Sequence, residues 1–484
     1  MPDNQNIKSY IGSQWISPKS GKTYETKNPA TGETLATVGL ADREDAQSAI
    51  FAATRGNKEL AKMTNWERAA LCFSVADEML KRRDNLAKVL SDEQGKPLMS
   101  EAYSEIDAAI AGFRQAGEQV KWHDGRVIPA ETQGKRVISF RQPIGVFGVI
   151  TPWNFPINIP VEYLAPCLAA GNGVVWVPSP STALCAATLM ECIVAAGFPD
   201  GAINLVIGEG AQVGDEVVTN TGVHAVGLTG SPTTGNIVAR QGAGKPMVLE
   251  LGGNGPLIVL DDADLEKAAA AAAFGSFFNA GQVCAASGRI LATKKTHDKL
   301  VELIAAEASK LRVGLPSLPD TTMGSLHDST VANRVDEHIA DATKSGAEIA
   351  FGGRRENVAG GTNLFYQPTV LANVSHSALA NTSETFGPVA PVVRCEDESQ
   401  MLSLANQSNQ GLAMAVYTKD MAKAFQFGEN LQAGLVNINS PTCYWELQIP
   451  FGGAAGKHSG VGRIGGTEML NQVTQIKTIT FDIT

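Results

Sequence analysis

Between residues 145 and 229, four short apolar runs alternate with segments of helical character. The runs are Gly145–Ile150, Gly173–Val177, Ala202–Val206 and Ala225–Thr229, and segments such as Leu184–Ala196 and Gln212–Thr219 separate them. Runs this short, without polar alternation, read as strands covered on both faces. Strands that alternate with helices build βαβ units and a parallel sheet. The pattern restarts past Leu249. There PLIVLDDADLEKAAAAAAFGSF reads as a strand, an Asp-rich helix start and an Ala-rich helix. Alternation then continues to about Asn439. The fold class is therefore α/β, with two doubly wound domains joined near residue 250. Such sheets place ligands in the crevice outside the carboxyl ends of their strands.

The flanks differ. Residues 1–40 read as short strands and turns, with turn chemistry at Asn28–Glu33. Helical spacing dominates from Arg43 to about Lys121. The tail Thr474–Ile483 alternates Thr, Ile and Phe like a strand without a sequence neighbour, which must pair with a distant segment or another subunit. The 484 residues leave ample chain for two large domains.

Composition narrows the function. A net charge of −10 gives no electrostatic footprint for nucleic acid or an anionic membrane. The longest apolar stretch, residues 145–178, is broken by prolines, asparagines and Glu162, which argues against a spanning helix. The N-terminus shows no secretory pattern. Seven scattered cysteines, with no CxxC, form neither a disulfide framework nor a zinc site. These features predict a soluble, cytoplasmic enzyme with no bound metal.

Five places carry chemistry. Cys284, in NAGQVCAASGR, lies among small residues that leave room for a substrate beside the sulfur. Most free cysteines are buried and inert, so the residue alone proves little. Glu250 ends an apolar strand before Leu251 and two glycines, where partial burial would raise a carboxyl toward neutrality and make it a base. Asn154, in TPWNFP, can donate to a developing oxyanion. The Gly-rich turn at Gly230–Gly235 precedes a helix start and presents N–H groups suited to phosphate. In SETFGP, Glu384 and Phe386 could contact a ribose and a flat ring.

Taken in order, TPWNFP, GLTGSPTTG, LELGGN, FNAGQVC, ETFGP and PFGG…SGVGR closely resemble the aldehyde dehydrogenase superfamily from NPATGE to near the C-terminus. The resemblance implies NAD-dependent, or alternatively NADP-dependent, oxidation of a small-molecule aldehyde to a carboxylic acid. It makes Cys284 the nucleophile, Asn154 an oxyanion donor and Glu250 the base that hydrolyses the thioester. On the cofactor side it implies Thr151, Trp153, Ser179, Gly208, Gly230, Ser231, Gly235, Leu251, Glu384 and Phe386. For the substrate it implies Phe155, Ile159, Glu162, Val283, Ala285, Thr442 and Tyr444, with Trp445 beside them. Arg114 is the one cation it brings near the tunnel, a partner for an ω-carboxylate if the substrate is a semialdehyde. An apolar or aromatic aldehyde stays open beside that.

Two departures stand out. Val177 replaces the usual ribose-binding lysine and Pro180 a common glutamate, removing the usual NAD-over-NADP discriminator. The loop Ala454–His458 is longer than the common pattern. The resemblance also implies a cofactor domain from 1–121 and 142–250, a catalytic domain from 251–450, and an oligomerisation element from 122–141 and 467–484. A homodimer or homotetramer follows, because the last strand needs an edge. Competing readings are a CoA-acylating dehydrogenase, a thiol esterase with impaired cofactor binding, and a non-catalytic protein on the same fold. Retention of Glu250 argues against the first, and the joint presence of Cys284, Glu250, Asn154 and Glu384 against the last.

Overall fold

The computed structural model describes residues 6–484. Two large sheets carry the site. The first has eight strands. At its centre Met247–Glu250, Ala225–Thr229, Val146–Ile150, Gly173–Val177 and Ile203–Leu205 run parallel, in that spatial order. Each of the apolar runs between 145 and 229 supplies one of these strands. The strands that they form are buried along nearly their whole length, as a sheet covered by helices requires. Helices Arg43–Leu60, Asn158–Ala170 and Ala183–Ala195 are among those that cover it. Ser9–Ile11 and then Gln14–Ile16 extend it to one edge and Gly460–Val461 forms the other, each antiparallel to its neighbour.

The second sheet has seven strands and is parallel except at Glu348–Phe351. Its central strands are Val389–Cys395, Arg289–Thr293, Pro256–Val259 and Ala413–Tyr417. Helix Leu265–Phe277 follows Pro256–Val259, and Asp264 caps it by accepting from the Lys267 N–H. The chain passes from one sheet to the other through Leu251–Gly255, so Glu250 stands at the last strand position before the crossing.

The tail finds its partner within the chain. Thr474–Asp482 pairs antiparallel with Lys135–Pro143 along its whole length, and Arg126–Ile128 adds a third strand. Val127, Ile138, Phe140, Ile476 and Phe481 on this sheet are exposed. Among the described residues, no helix is long and apolar enough to cross a membrane, and no cluster of His, Cys, Asp and Glu is suited to a metal ion.

Candidate active site

The carboxyl ends of the first sheet and the loops of the second enclose a cleft of about 270 Å³. Of the residues singled out by sequence, Trp153, Asn154, Gly230, Ser231, Glu250, Cys284, Glu384 and Phe386 line it. Cys284 is partly exposed, while Cys72, Cys167, Cys185, Cys192 and Cys395 are buried.

The loop that leads to Cys284 is held in an unusual shape. Asn279 and Ala280 both adopt left-handed backbone angles, with φ of 50° and 52°. Non-glycine residues rarely do so, and such strain persists only where the surroundings over-determine it. Here the Asn279 N–H donates to Glu101 Oε1 at 3.0 Å, and its side-chain amide donates to the Asn154 carbonyl at 3.0 Å. Asn154 in turn donates through Nδ2 to the Gln282 carbonyl at 3.0 Å. Lys96 donates to the same Asn154 carbonyl at 3.1 Å and pairs with Glu105 at 2.5 Å. Glu105 accepts from the Ile157 and Asn158 N–H groups at the start of helix Asn158–Ala170. Asn154 and the loop leading to Cys284 are thus fastened to each other and to one buried ion pair. The backbone N–H of Cys284 makes no hydrogen bond to the described residues, which leaves it free for an incoming oxygen.

Three carboxylates shape the electrostatics. Burial raises Glu250 to about 8, against the pull of the Cys284 thiol and the Thr229 hydroxyl. Burial raises Glu384 to about 7, with the Gly253 N–H and Arg334 opposing. Glu162 is raised well above its ordinary value, first by burial and then by Glu250 and Glu105. Burial, followed by Glu250, Glu384 and Glu162, pushes the Cys284 thiol well up. The resting pair is therefore a thiol beside a carboxyl poised near neutrality.

The residues fit a dinucleotide. Ser231 caps helix Pro232–Gln241 by accepting from the Thr234 N–H at 3.2 Å, and the helix start opens onto the cleft at Gly230. Glu384 accepts from the Gly253 N–H at 3.2 Å through one oxygen. A Cβ on Gly252 would stand 2.5 Å from its other oxygen, so the glycine keeps that oxygen clear. Trp153 stacks on His327 at 4.3 Å and meets the Phe386 ring edge-on at 5.7 Å.

Other sequence candidates lie outside this cleft. Thr151 accepts from the Trp176 indole at 2.9 Å, and Ser179 bonds Ser181. Gly208 packs against the Ala41 carbonyl, and Gly235 against the buried Leu251 side chain. Ile159, Val283, Ala285 and Thr442 are buried, and Thr442 bonds Ser287 at 2.9 Å. Phe155 lies over the Lys96 ammonium and against Phe278. Glu162 accepts from Asn158 and lines a small cavity with Trp445. Tyr444 is exposed and donates to Glu446. Arg114 is exposed on helix Tyr103–Lys121 and pairs with Asp77 at 3.3 Å. The longer loop Ala454–His458 is tied to residues 406–411 through Lys457 and the Ala454 and His458 N–H groups.

Sequence reasoning missed Thr229, Asp328 and Arg334 in the cleft and Lys96 behind it. Only Asp328 had a local signal, since an Asp before an amphipathic run marks a helix start, and it caps Ser329–Lys344.

The aldehyde dehydrogenase family model matches residues 15–479. The chain belongs to the aldehyde dehydrogenase family. Among curated proteins it is 37% identical to the NADP(+) succinate-semialdehyde dehydrogenase of Escherichia coli, over 96% of each chain. It is also 37% identical to a glutarate-semialdehyde dehydrogenase of Pseudomonas aeruginosa, over 97% of this chain and 96% of that protein. Among solved structures, an aldehyde dehydrogenase from Brucella melitensis biovar abortus superposes with a TM-score of 0.96 at 33% identity, covering 100% of this chain and 99% of that one. An NAD+ complex of the Bacillus cereus aldehyde dehydrogenase gives 0.95 at 33% identity, covering 99% and 97%. As an aldehyde dehydrogenase, the protein is an oxidoreductase with the two-sheet architecture of its relatives.

Proposed function

We propose that Cys284, Asn154 and Glu250 carry an NAD(P)-dependent oxidation of an aldehyde to a carboxylic acid. The observation that supports this most directly is the meeting of all three with Glu384 in one cleft. The Cys284 sulfur attacks the aldehyde carbon, giving up its proton to the adjacent Glu250. The aldehyde oxygen becomes an oxyanion between the Asn154 amide and the Cys284 N–H. A nicotinamide dinucleotide bound in the cleft would supply the hydride acceptor for the oxidation, with the acyl group then carried as a thioester on Cys284. Glu384 would hold its ribose, and the Gly230–Ser231 turn would face its phosphates. Glu250 releases the Cys284 proton to solvent and then takes a proton from water; the hydroxide attacks the thioester carbonyl, and the Cys284 thiolate leaves and is reprotonated by Glu250. A base near neutrality suits both proton transfers.

The reading extends to the rest of the chain. Residues 1–121 and 142–250 form the cofactor domain, 251–450 the catalytic domain, and 122–141 with 467–484 an oligomerisation element. The exposed apolar side chains of the small sheet would serve a homodimer or homotetramer. Seven unpaired cysteines suit the reducing cytoplasm. The semialdehyde relatives make ω-carboxy aldehydes one substrate class to test, although Arg114 is spent on Asp77.

The test is an absorbance screen for NADH and NADPH with short aliphatic, aromatic, ω-amino and ω-carboxy aldehydes, without CoA. Reduced cofactor released in step with acid supports the reading. Turnover only with CoA would favour the acylating branch. The buried Val177 and the uncharged Pro180 at the ribose end favour the esterase as second reading. Silence of the screen with ester hydrolysis intact, together with no binding in a cofactor titration, would establish it; silence with cofactor bound would mean that the aldehyde lies outside the panel.

A further inference from the structure

The strand Ala225–Thr229 carries a glycine at 227 and a threonine at 229, two residues apart and so on one face of the sheet. A Cβ on Gly227 would lie 2.6 Å from Cδ1 of Tyr163, so the missing side chain is the seat of the tyrosine ring. From that seat the phenol reaches Thr229, with 2.9 Å between the two hydroxyl oxygens. Thr229 is the register partner of Glu250 on the neighbouring parallel strand, so the two side chains leave the sheet on one face, and both line the cleft. Tyr163 is fully buried, and Glu250 Oε1 is buried without a hydrogen-bond partner. A phenylalanine would fill the same seat without burying a hydroxyl, and burying one is costly unless it is bonded. The phenol therefore calls for a purpose beyond packing.

We propose that Tyr163 and Thr229 form a two-hydroxyl chain that positions the Glu250 carboxylate and sustains its ionised form for water activation. The proposal rests on Glu250 being the base. Tyr163 donates to Thr229, Thr229 donates to the carboxylate, and each bond polarises the next. No proton leaves the chain. The ionisable groups that face Glu250 are the Cys284 thiol, the Glu384 and Glu162 carboxylates and the Tyr163 phenol. Asp328 and Arg334 line the same cleft, and Arg334, its cation, acts on Glu384; the hydroxyls supply the stabilisation nearest to Glu250.

Removing either donor raises the Glu250 pKa, because only the ionised form is stabilised by accepting. In Tyr163→Phe and Thr229→Val the limb on which turnover rises with pH should move up by about half to one unit. Turnover at neutral pH should fall about three- to tenfold, and hydroxylamine, which needs no base, should restore release of the acyl group. Thr229→Ser, which retains a hydroxyl, should keep the wild-type limb. Melting curves establish that each variant is folded. Folded Tyr163→Phe and Thr229→Val enzymes with an unmoved limb would overturn the proposal. Full turnover in Glu250→Gln would remove the base itself, and the chain's purpose with it.

Discussion

The two ends of the proposed site are built to different standards. At the Cys284 end the supporting groups are tied to one another: Asn154 to Gln282, Asn279 to Asn154 and Glu101, Lys96 to Asn154 and Glu105. At the other end, outside the cleft, Val177 and Pro180 offer no charge, and the nearby Ser179 and Ser181 hydroxyls bond each other. The contrast follows from what each end must do. Covalent chemistry needs donors fixed where charge develops, whereas anchoring an adenosine adds only binding energy, felt equally before and during reaction. Substitutions should therefore strike kcat at one end and KM at the other.

The largest effect belongs to the nucleophile. Cys284→Ala should lower aldehyde oxidation by about 10⁴-fold or more while cofactor affinity, measured by fluorescence titration, holds. Residual activity near wild type would dissolve the contrast altogether. Next, Glu250→Gln should slow turnover by about 10²–10⁴-fold and leave an acyl adduct visible as added mass on the intact protein. Asn154→Ala should cost about 10²–10³-fold, chiefly in kcat. An equal loss confined to KM would assign that amide to binding. At the other end, Pro180→Glu should raise the NAD-over-NADP ratio of kcat/KM by about tenfold, with kcat with NAD within about twofold of wild type. A large loss of kcat there would mean that the ribose end also positions the reacting carbons.

A smaller effect appears in stability. Glu250 and Glu384 have folded pKa values raised to about 8 and about 7. The folded state thus binds protons more tightly than the unfolded chain, whose carboxyls titrate near 4.5. The stabilisation is fully present below that value and is lost as pH rises through the folded values. Thermal midpoints should decline between pH 5 and pH 8, and less steeply in Glu250→Gln. A decline of unchanged slope in that variant would place the pH sensitivity elsewhere.

Local chemistry made much of the site legible. The apolar runs announced the first sheet, and each of Cys284, Glu250, Asn154 and Glu384 sat in a phrase whose residue types suit its task. What stayed hidden was pairing across distance. Lys96 and Glu105 look like ordinary helical charges, and nothing near them in sequence says that they are buried behind Asn154. Tyr163 reads as one more apolar position until the register sets Thr229 beside Glu250. Arg114 shows the converse. A cation placed by family likeness proved to be on the outer face of its helix, because resemblance fixes a backbone position and not the neighbours of a long side chain.

Gly460–Val461 fills the edge of the first sheet beside the strand that ends at Glu250. Just before it, Ser459 bridges the Gly252 carbonyl and the Gly411 N–H. The ribosome makes this clasp 207 residues after the crossing it braces. Until it emerges, the strand bearing the base has an open edge, and the crossing between the sheets lacks its brace.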